Sequence, residues 1–255
     1  MTALQNKTAL VTGASRGIGR ATAAALADGG AFVLVHYGRS AEDAESLVNS
    51  IRVKGGRAQA VQADLASPDG AASLANQVRA IAGDRLDILI SNAGISKSAT
   101  IRDHTTDDFD SLFATNVRSP FFLLQQLLPM LGEGSSVVFI SSLAARHMVG
   151  NPDPEGRVFL AYASTKGAIE TLVTHWAALL GPRGIRVNAV APGVIDTDMS
   201  SFTKTEAGRE HALKIQALKR IGKPEDVADV VAFLASGASR WITGAIIPVD
   251  GGSKL

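Results

Sequence analysis

Short apolar, β-branched runs alternate with helix-period stretches from one end of the chain to the other. Runs at 8–12, 32–35, 58–62, 86–91, 136–141, 186–191 and 245–249 predict seven buried strands. The stretches 19–28, 41–54, 68–82, 106–131, 161–180 and 224–235 predict the helices between them. Strands apolar on both faces and joined by helices specify an α/β fold, a parallel sheet of βαβ units covered on both sides. No Pro/Gly/Ser-rich linker and no internal repeat interrupts the alternation, so residues 1–255 read as one domain. Two stretches, 146–159 with its Asn151-Pro-Asp-Pro-Glu155 turn and 196–219, are too long for mere connections. Both are candidate substrate-pocket elements, the second a lid.

Composition narrows the function classes. The 255 residues are 46% hydrophobic and 19% charged with a formal net charge of +1, so no electrostatic footprint for nucleic acid is present. The absence of cysteine excludes disulfides, thiol nucleophiles and cysteine metal sites. No apolar run is long enough for a membrane span, and the N-terminal residues lack a secretory pattern, so a cytoplasmic protein is expected. The final Ser253-Lys254-Leu255 matches a peroxisomal address and leaves that compartment as a second reading. His104, His147, His175 and His211 have no paired ligand spacing, so no metal site is expected. His147 suits either a pocket wall or a solvent-facing loop.

Two motifs carry chemistry. The first strand runs into Thr12-Gly13-Ala14-Ser15-Arg16-Gly17-Ile18-Gly19 and then a helix. Glycines let the backbone approach a ligand, and the helix N-terminus offers free N–H groups and positive charge to a pyrophosphate. Farther on, Tyr162-Ala-Ser-Thr-Lys166 puts a phenol and an ammonium on one helix face. The ammonium is expected to lower the phenol's pKa toward neutrality and make it a proton donor or acceptor.

With the Thr-Gly-x-x-x-Gly-x-Gly spacing of the glycine turn, Tyr162-x-x-x-Lys166 resembles the short-chain dehydrogenase/reductase family. Asp64-Leu65, Asn92-Ala93-Gly94, Asn116, Ser142, Pro192-Gly193, Gly222-Lys-Pro-Glu-Asp-Val227 and Val249-Asp-Gly-Gly252 follow in that family's order. The resemblance implies a Rossmann-type, doubly wound, mainly parallel seven-stranded sheet. It also implies the site roles. Tyr162 exchanges a proton with the substrate oxygen, and Lys166 depresses the phenol's pKa and holds the nicotinamide ribose. Ser142 orients the substrate oxygen, and Asn116 anchors a water that relays protons from Lys166. Ser141, on the opposite strand face, is expected to bond backbone instead. Cofactor contacts are implied for Gly13, Ser15, Arg16, Gly17, Ile18, Gly19, Tyr37, Arg39, Ser40, Asp64, Leu65, Asn92, Ala93, Gly94, Tyr162, Lys166, Pro192, Gly193, Ile195 and Thr197.

The second strand ends in His36-Tyr37-Gly38-Arg39-Ser40, with no carboxylate to hold a ribose 2′-hydroxyl. Arg39 and Ser40, with Arg16 opposite, offer donors to a 2′-phosphate. NADP(H) is therefore expected over NAD(H), which stays possible. The substrate is read as a small ketone or secondary alcohol. Two alternatives stand: a 3-oxoacyl-(acyl-carrier-protein) reductase, and a non-catalytic nucleotide sensor on the same fold. Against the carrier protein, 125–133 and 175–180 carry no Lys or Arg to meet its acidic helix. The resemblance also implies a homotetramer packed through 106–131 and 161–180. Their surplus of apolar residues suits that interface or a doubly covered core helix.

Overall fold

Residues 3–150, 155–253 and 255 are described by the computed structural model of the chain. Residues 151–154, and with them most of the Asn151–Glu155 turn expected at the pocket rim, lie outside the described residues, as does Lys254. The strands are β1 (Thr8–Val11), β2 (Phe32–Tyr37), β3 (Arg57–Gln62), β4 (Ile88–Ser91), β5 (Ser136–Ile140), β6 (Arg186–Pro192) and β7 (Ile246–Val249). They form one seven-stranded sheet in the order β3-β2-β1-β4-β5-β6-β7, and every pairing is parallel. The helices are α1 (Gly17–Asp28), α2 (Ala41–Val53), α3 (Gly70–Ala82), α4 (Thr106–Phe113), α5 (Ser119–Leu127), α6 (Leu160–Leu180), α7 (Glu206–Ile215) and α8 (Pro224–Ala235).

Side-chain alternation along the strands divides the core in two. Ala9 and Val11 join Val33, Val35, Ile88 and Ile90 on one face, beneath Leu26 of α1, Leu47 of α2 and Val231 of α8. Leu10, between them in sequence, joins Leu34, Leu89 and Phe139 on the other, against Leu74 of α3, Leu124 of α5 and Val173 of α6. Apolar residues at successive strand positions are therefore required by a sheet covered on both faces. The strand order reverses between β1 and β4, which opens a crevice beyond their carboxyl ends.

Three expectations are corrected. The helix expected over 106–131 is divided into α4, a π-helical turn at Ala114–Arg118, α5 and a 3-10 turn at Leu128–Met130. Pro120 has no N–H to give the carbonyl of Asn116 four residues earlier, so a regular helix cannot continue through this point. The stretch 196–219, expected to be irregular, holds 3-10 turns at Asp198–Lys204 and then α7. Thr205 caps α7 by accepting from the Gly208 N–H, yet only Ala212 of the helix is buried, so it lacks an apolar period. The helices expected from 19 and 68 begin at Gly17 and Gly70, and β2 runs on to Tyr37.

Candidate active site

The crevice is stitched together by polar groups at the ends of β1 and β4. Thr12 Oγ1 accepts the backbone N–H groups of Asn92 and Ala93, each at 2.9 Å. Asn92 Nδ2 donates to the carbonyls of Thr12 and Gly13, at 2.8 and 3.0 Å. Gly13 and Gly17 hold φ of +61° and +55°, where a side chain is strained. A Cβ on Gly19 would lie 2.3 Å from the Gly13 carbonyl oxygen and 2.4 Å from Asn92 Nδ2. The turn is thus closed against its own supports. Arg16 ends the turn without capping α1 through its side chain, and α1 has no acidic residue in its first turn. Its N-terminal N–H groups and positive end are left for an anion.

His36, buried near the end of β2, binds this turn from beneath. Its Nδ1 accepts the Gly13 N–H at 3.0 Å. Its Nε2 lies 3.1 Å from the Ala63 carbonyl and is therefore the donating nitrogen. Burial pushes the imidazole down to about 4, so it is neutral at pH 7. Ala63 leads directly into Asp64, which is exposed with Oδ1 accepting from the Ala66 N–H, and buried Leu65. Sequence reading missed the roles of His36 and Thr12; a histidine inside an apolar strand run was the available signal.

At the rim, Arg39 is exposed and Tyr37 and Ser40 are partly buried. Arg16 is also exposed, and its Nη1 pairs with Asp198 Oδ2 at 3.3 Å, joining the glycine turn to the 196–219 stretch. The Thr197 methyl lies 3.3 Å from where a Cβ on Gly17 would stand. Ile195 is buried. Gly193, just after Pro192 at the end of β6, packs where a Cβ would meet Asp250 at 2.8 Å. Ser15 and Ile18 lie within the turn itself.

The second half of the site is built on α6. Lys166 is buried, and its Nζ donates to the Ile140 carbonyl at 2.8 Å while lying 5.6 Å from the Tyr162 ring centroid. Burial lowers the ammonium to about 8. A Cβ on Gly94 would stand 3.2 Å from Asn116 Oδ1 and 3.6 Å from Lys166 Nζ, which brings these three residues together. Asn116 is buried rather than a surface amide. Its Oδ1 accepts from the Ile95 N–H, and its Nδ2 donates to the Ile95 carbonyl and Thr165 Oγ1, at 2.9, 2.9 and 3.1 Å. These bonds lock the π-helical turn onto α6.

Two findings depart from the sequence expectations. Burial pushes the Tyr162 phenol above its ordinary value, with the Ser142 hydroxyl acting in the opposite direction. The expected depression by Lys166 is absent: at this separation the desolvation of the phenolate outweighs the ammonium. The Ser141 hydroxyl donates to Glu170 Oε1 at 2.9 Å rather than to backbone. Beside the site, a cavity of about 570 Å³ is lined mainly by apolar side chains, among them Ile101, Met148, Val158, Phe159 and Leu160. His147 lies on its exposed rim.

No group of acidic, histidine or cysteine side chains among the described residues could hold a metal ion, and none of the described helices is long and apolar enough to cross a membrane. Residues 13–254 match the family model described as enoyl-(acyl carrier protein) reductase. Versicolorin reductase stcU of Emericella nidulans is 42% identical, over 98% of this chain and 96% of that protein. A probable tetrahydroxynaphthalene reductase of Zymoseptoria tritici is 37% identical, over 99% and 96%. The crystal structure of the angucycline C-6 ketoreductase LanV with bound NADP superposes with a TM-score of 0.90 at 39% identity, covering 99% of this chain and 97% of that one. The chain belongs to the short-chain dehydrogenase/reductase family of NAD(P)-dependent oxidoreductases.

Proposed function

We infer that this protein reduces a ketone to a secondary alcohol with NADPH, with Tyr162 as the general acid. The observation that carries the reading is the convergence of Tyr162, Ser142, Lys166 and Asn116 beside a glycine turn closed for a pyrophosphate. Bound NADPH supplies the hydride to the carbonyl carbon. Tyr162 gives its phenolic proton to the carbonyl oxygen, and Ser142 donates a hydrogen bond to the same oxygen, favouring the charge that develops there. Lys166 holds the nicotinamide ribose and returns a proton to Tyr162. Asn116, whose carbonyl receives no bond from Pro120 four residues on, would place the water that resupplies Lys166.

Gly13, Ser15, Gly17, Ile18 and Gly19 would hold the pyrophosphate of the dinucleotide, and Asp64 and Leu65 its adenine. Asn92, Ala93, Gly94, Pro192, Gly193, Ile195 and Thr197 flank the nicotinamide half. Arg39, Ser40 and Arg16 receive the 2′-phosphate beside Tyr37, and the NADP bound to LanV supports this preference. Residues 1–255 work as one domain in which 196–219 is the lid.

The relatives named for versicolorin and tetrahydroxynaphthalene support a ketone on a fused-ring aromatic compound. The apolar cavity beside Ser142 suits such a ring system. A homotetramer is supported by the partly exposed apolar groove of Phe113, Val117, Phe121, Phe122 and Leu172 between α4–α5 and α6. A monomer by light scattering at micromolar concentration would end that part of the reading.

The test is titration with NADPH and NADH followed by fluorescence, then NADPH oxidation with fused-ring ketones. Tighter NADPH binding and ketone-dependent oxidation are expected. Binding of neither nucleotide would end the reading.

A further inference from the structure

Tyr162, Lys166 and Glu170 recur at four-residue intervals on α6, so Glu170 stands on the reactive face one turn beyond Lys166. Its carboxylate keeps only 13% of its side-chain exposure and has two partners. Oε1 accepts the Ser141 hydroxyl at 2.9 Å, and Oε2 accepts Arg146 Nε at 2.7 Å. Ser141 directly precedes Ser142, while Arg146 directly follows the 3-10 turn Leu143–Ala145. One carboxylate therefore grips both ends of the short segment that carries Ser142.

The other bonds of the segment are within the turn or to the strand ladder. Ser142 accepts the Ala144 N–H at 3.1 Å, a bond internal to the turn. The ladder of β5 onto β6 ends with Ser141 N–H on the Val190 carbonyl at 2.8 Å. Lys166 ties α6 to Ile140 on the strand side, and Glu170 adds a charged tie to Arg146 on the far side of Ser142, where Leu143 and Ala144 are also buried. The same arginine lines the cavity beside the site, so the clamp also sets that wall.

We propose that Glu170 is a positioning residue that binds Ser141 and Arg146 on either side of the Ser142 turn and so fixes the approach of Ser142 to Tyr162. The proposal rests on the reading of Ser142 and Tyr162 as the groups that meet the substrate oxygen. A displacement of about 1 Å at a reacting group costs up to about 100-fold in rate, so the effect falls on turnover rather than on cofactor binding.

The test compares Glu170→Ala, Glu170→Gln and Ser141→Ala, each screened for native circular dichroism. Glu170→Ala is expected to lower kcat by about 10- to 100-fold with the NADPH Kd within about twofold of the parent. Glu170→Gln can keep an acceptor for Ser141 but turns an amide donor toward Arg146, and Ser141→Ala keeps the carboxylate and its arginine. Each loses one of the two bonds and should fall between Glu170→Ala and the parent. A second readout needs no turnover. The chain has two tyrosines, so protein labelled with 3-fluorotyrosine gives two fluorine resonances, assigned with Tyr162→Phe. Loss of the Ser142 approach in Glu170→Ala should move the Tyr162 titration to higher pH, and Glu170→Gln and Ser141→Ala should move it less.

A folded Glu170→Ala with parent kcat and an unchanged Tyr162 titration would overturn the proposal. So would parent kcat in both Glu170→Gln and Ser141→Ala, each of which breaks one of the two bonds of the clamp. If Glu170→Ala does not fold, Glu170→Gln and Ser141→Ala decide by the same two readouts. Absence of hydride transfer in the parent protein would defeat the functional reading alone, since the fluorine titration would still report whether Glu170 places Ser142 beside Tyr162.

Discussion

Acidification should unfold this protein through His36, and by an amount that can be worked out. The ring is neutral in the folded chain because burial pushes it down to about 4 from an ordinary 6.5. Between those two values the unfolded chain binds a proton that the folded chain refuses, so stability falls as pH drops through 6.5 to about 4 and levels off below. At about 1.4 kcal/mol per tenfold change in protonation, the full loss is about 3 kcal/mol, and about 2 kcal/mol of it is spent by pH 5. The structural reason is specific. Nδ1 accepts from Gly13 and Nε2 gives to Ala63, so a second ring proton would point into a donor. The assay is urea unfolding at fixed protein concentration from pH 7.5 to pH 4.5, parent against His36→Asn. Asparagine retains one acceptor and one donor but does not titrate. It should be less stable at pH 7, where it fits the gap poorly, and should lose about 3 kcal/mol less on acidification. Carboxylates such as Asp87, whose pKa is held down, also lose their contribution in acid, but they do so in both proteins. Parallel stability curves would refute the assignment of a buried, neutral His36.

Three further outcomes follow from the site. Tyr162→Phe should lower kcat by about 100- to 10,000-fold while leaving NADPH affinity within about threefold by fluorescence titration. Arg39→Ala should weaken NADPH by about 10- to 100-fold, the worth of a charge-assisted bond, and NADH far less; equal weakening would remove Arg39 from the 2′-phosphate. Gly19→Ala drives a methyl to 2.3 Å from the Gly13 carbonyl oxygen, so the turn must open; loss of binding to both nucleotides is expected, and parent affinity by the same titration would show the turn to be slack.

The sheet was legible because burial on both faces leaves a dense signal: every strand of a parallel sheet must be apolar at successive positions, and all seven were found within a few residues. Site positions were legible where one residue type is required in one backbone setting, as with Gly13 and Gly17 at positive φ. What stayed hidden depends on contacts between distant segments. Nothing local ties Glu170 to Ser141, 29 residues away, or His36 to Gly13 across the β1–β2 unit. The π-helical turn escaped because Pro120 reads as a tolerable early-helix residue unless the carbonyl it cannot serve is considered. Helix α7 escaped because it is held by a threonine cap and a single buried alanine rather than an apolar stripe.

The reversal at Tyr162 bears on direction. Sequence spacing placed a cation beside a phenol and suggested a ready phenolate. In the folded chain Lys166 is buried and Tyr162 half-buried, and desolvation acts on each toward its neutral form: the phenol is pushed up and the ammonium down to about 8. At neutral pH the phenol therefore keeps its proton while Lys166 is still largely charged. A protonated phenol backed by a charged amine can give up a proton and be resupplied; it is poorly prepared to take one. At neutral pH the phenol is thus in the protonated form that the proposed ketone reduction draws on. Running backwards, from alcohol to ketone, requires the phenolate, and so requires alkaline conditions or a further positive charge brought close to Tyr162.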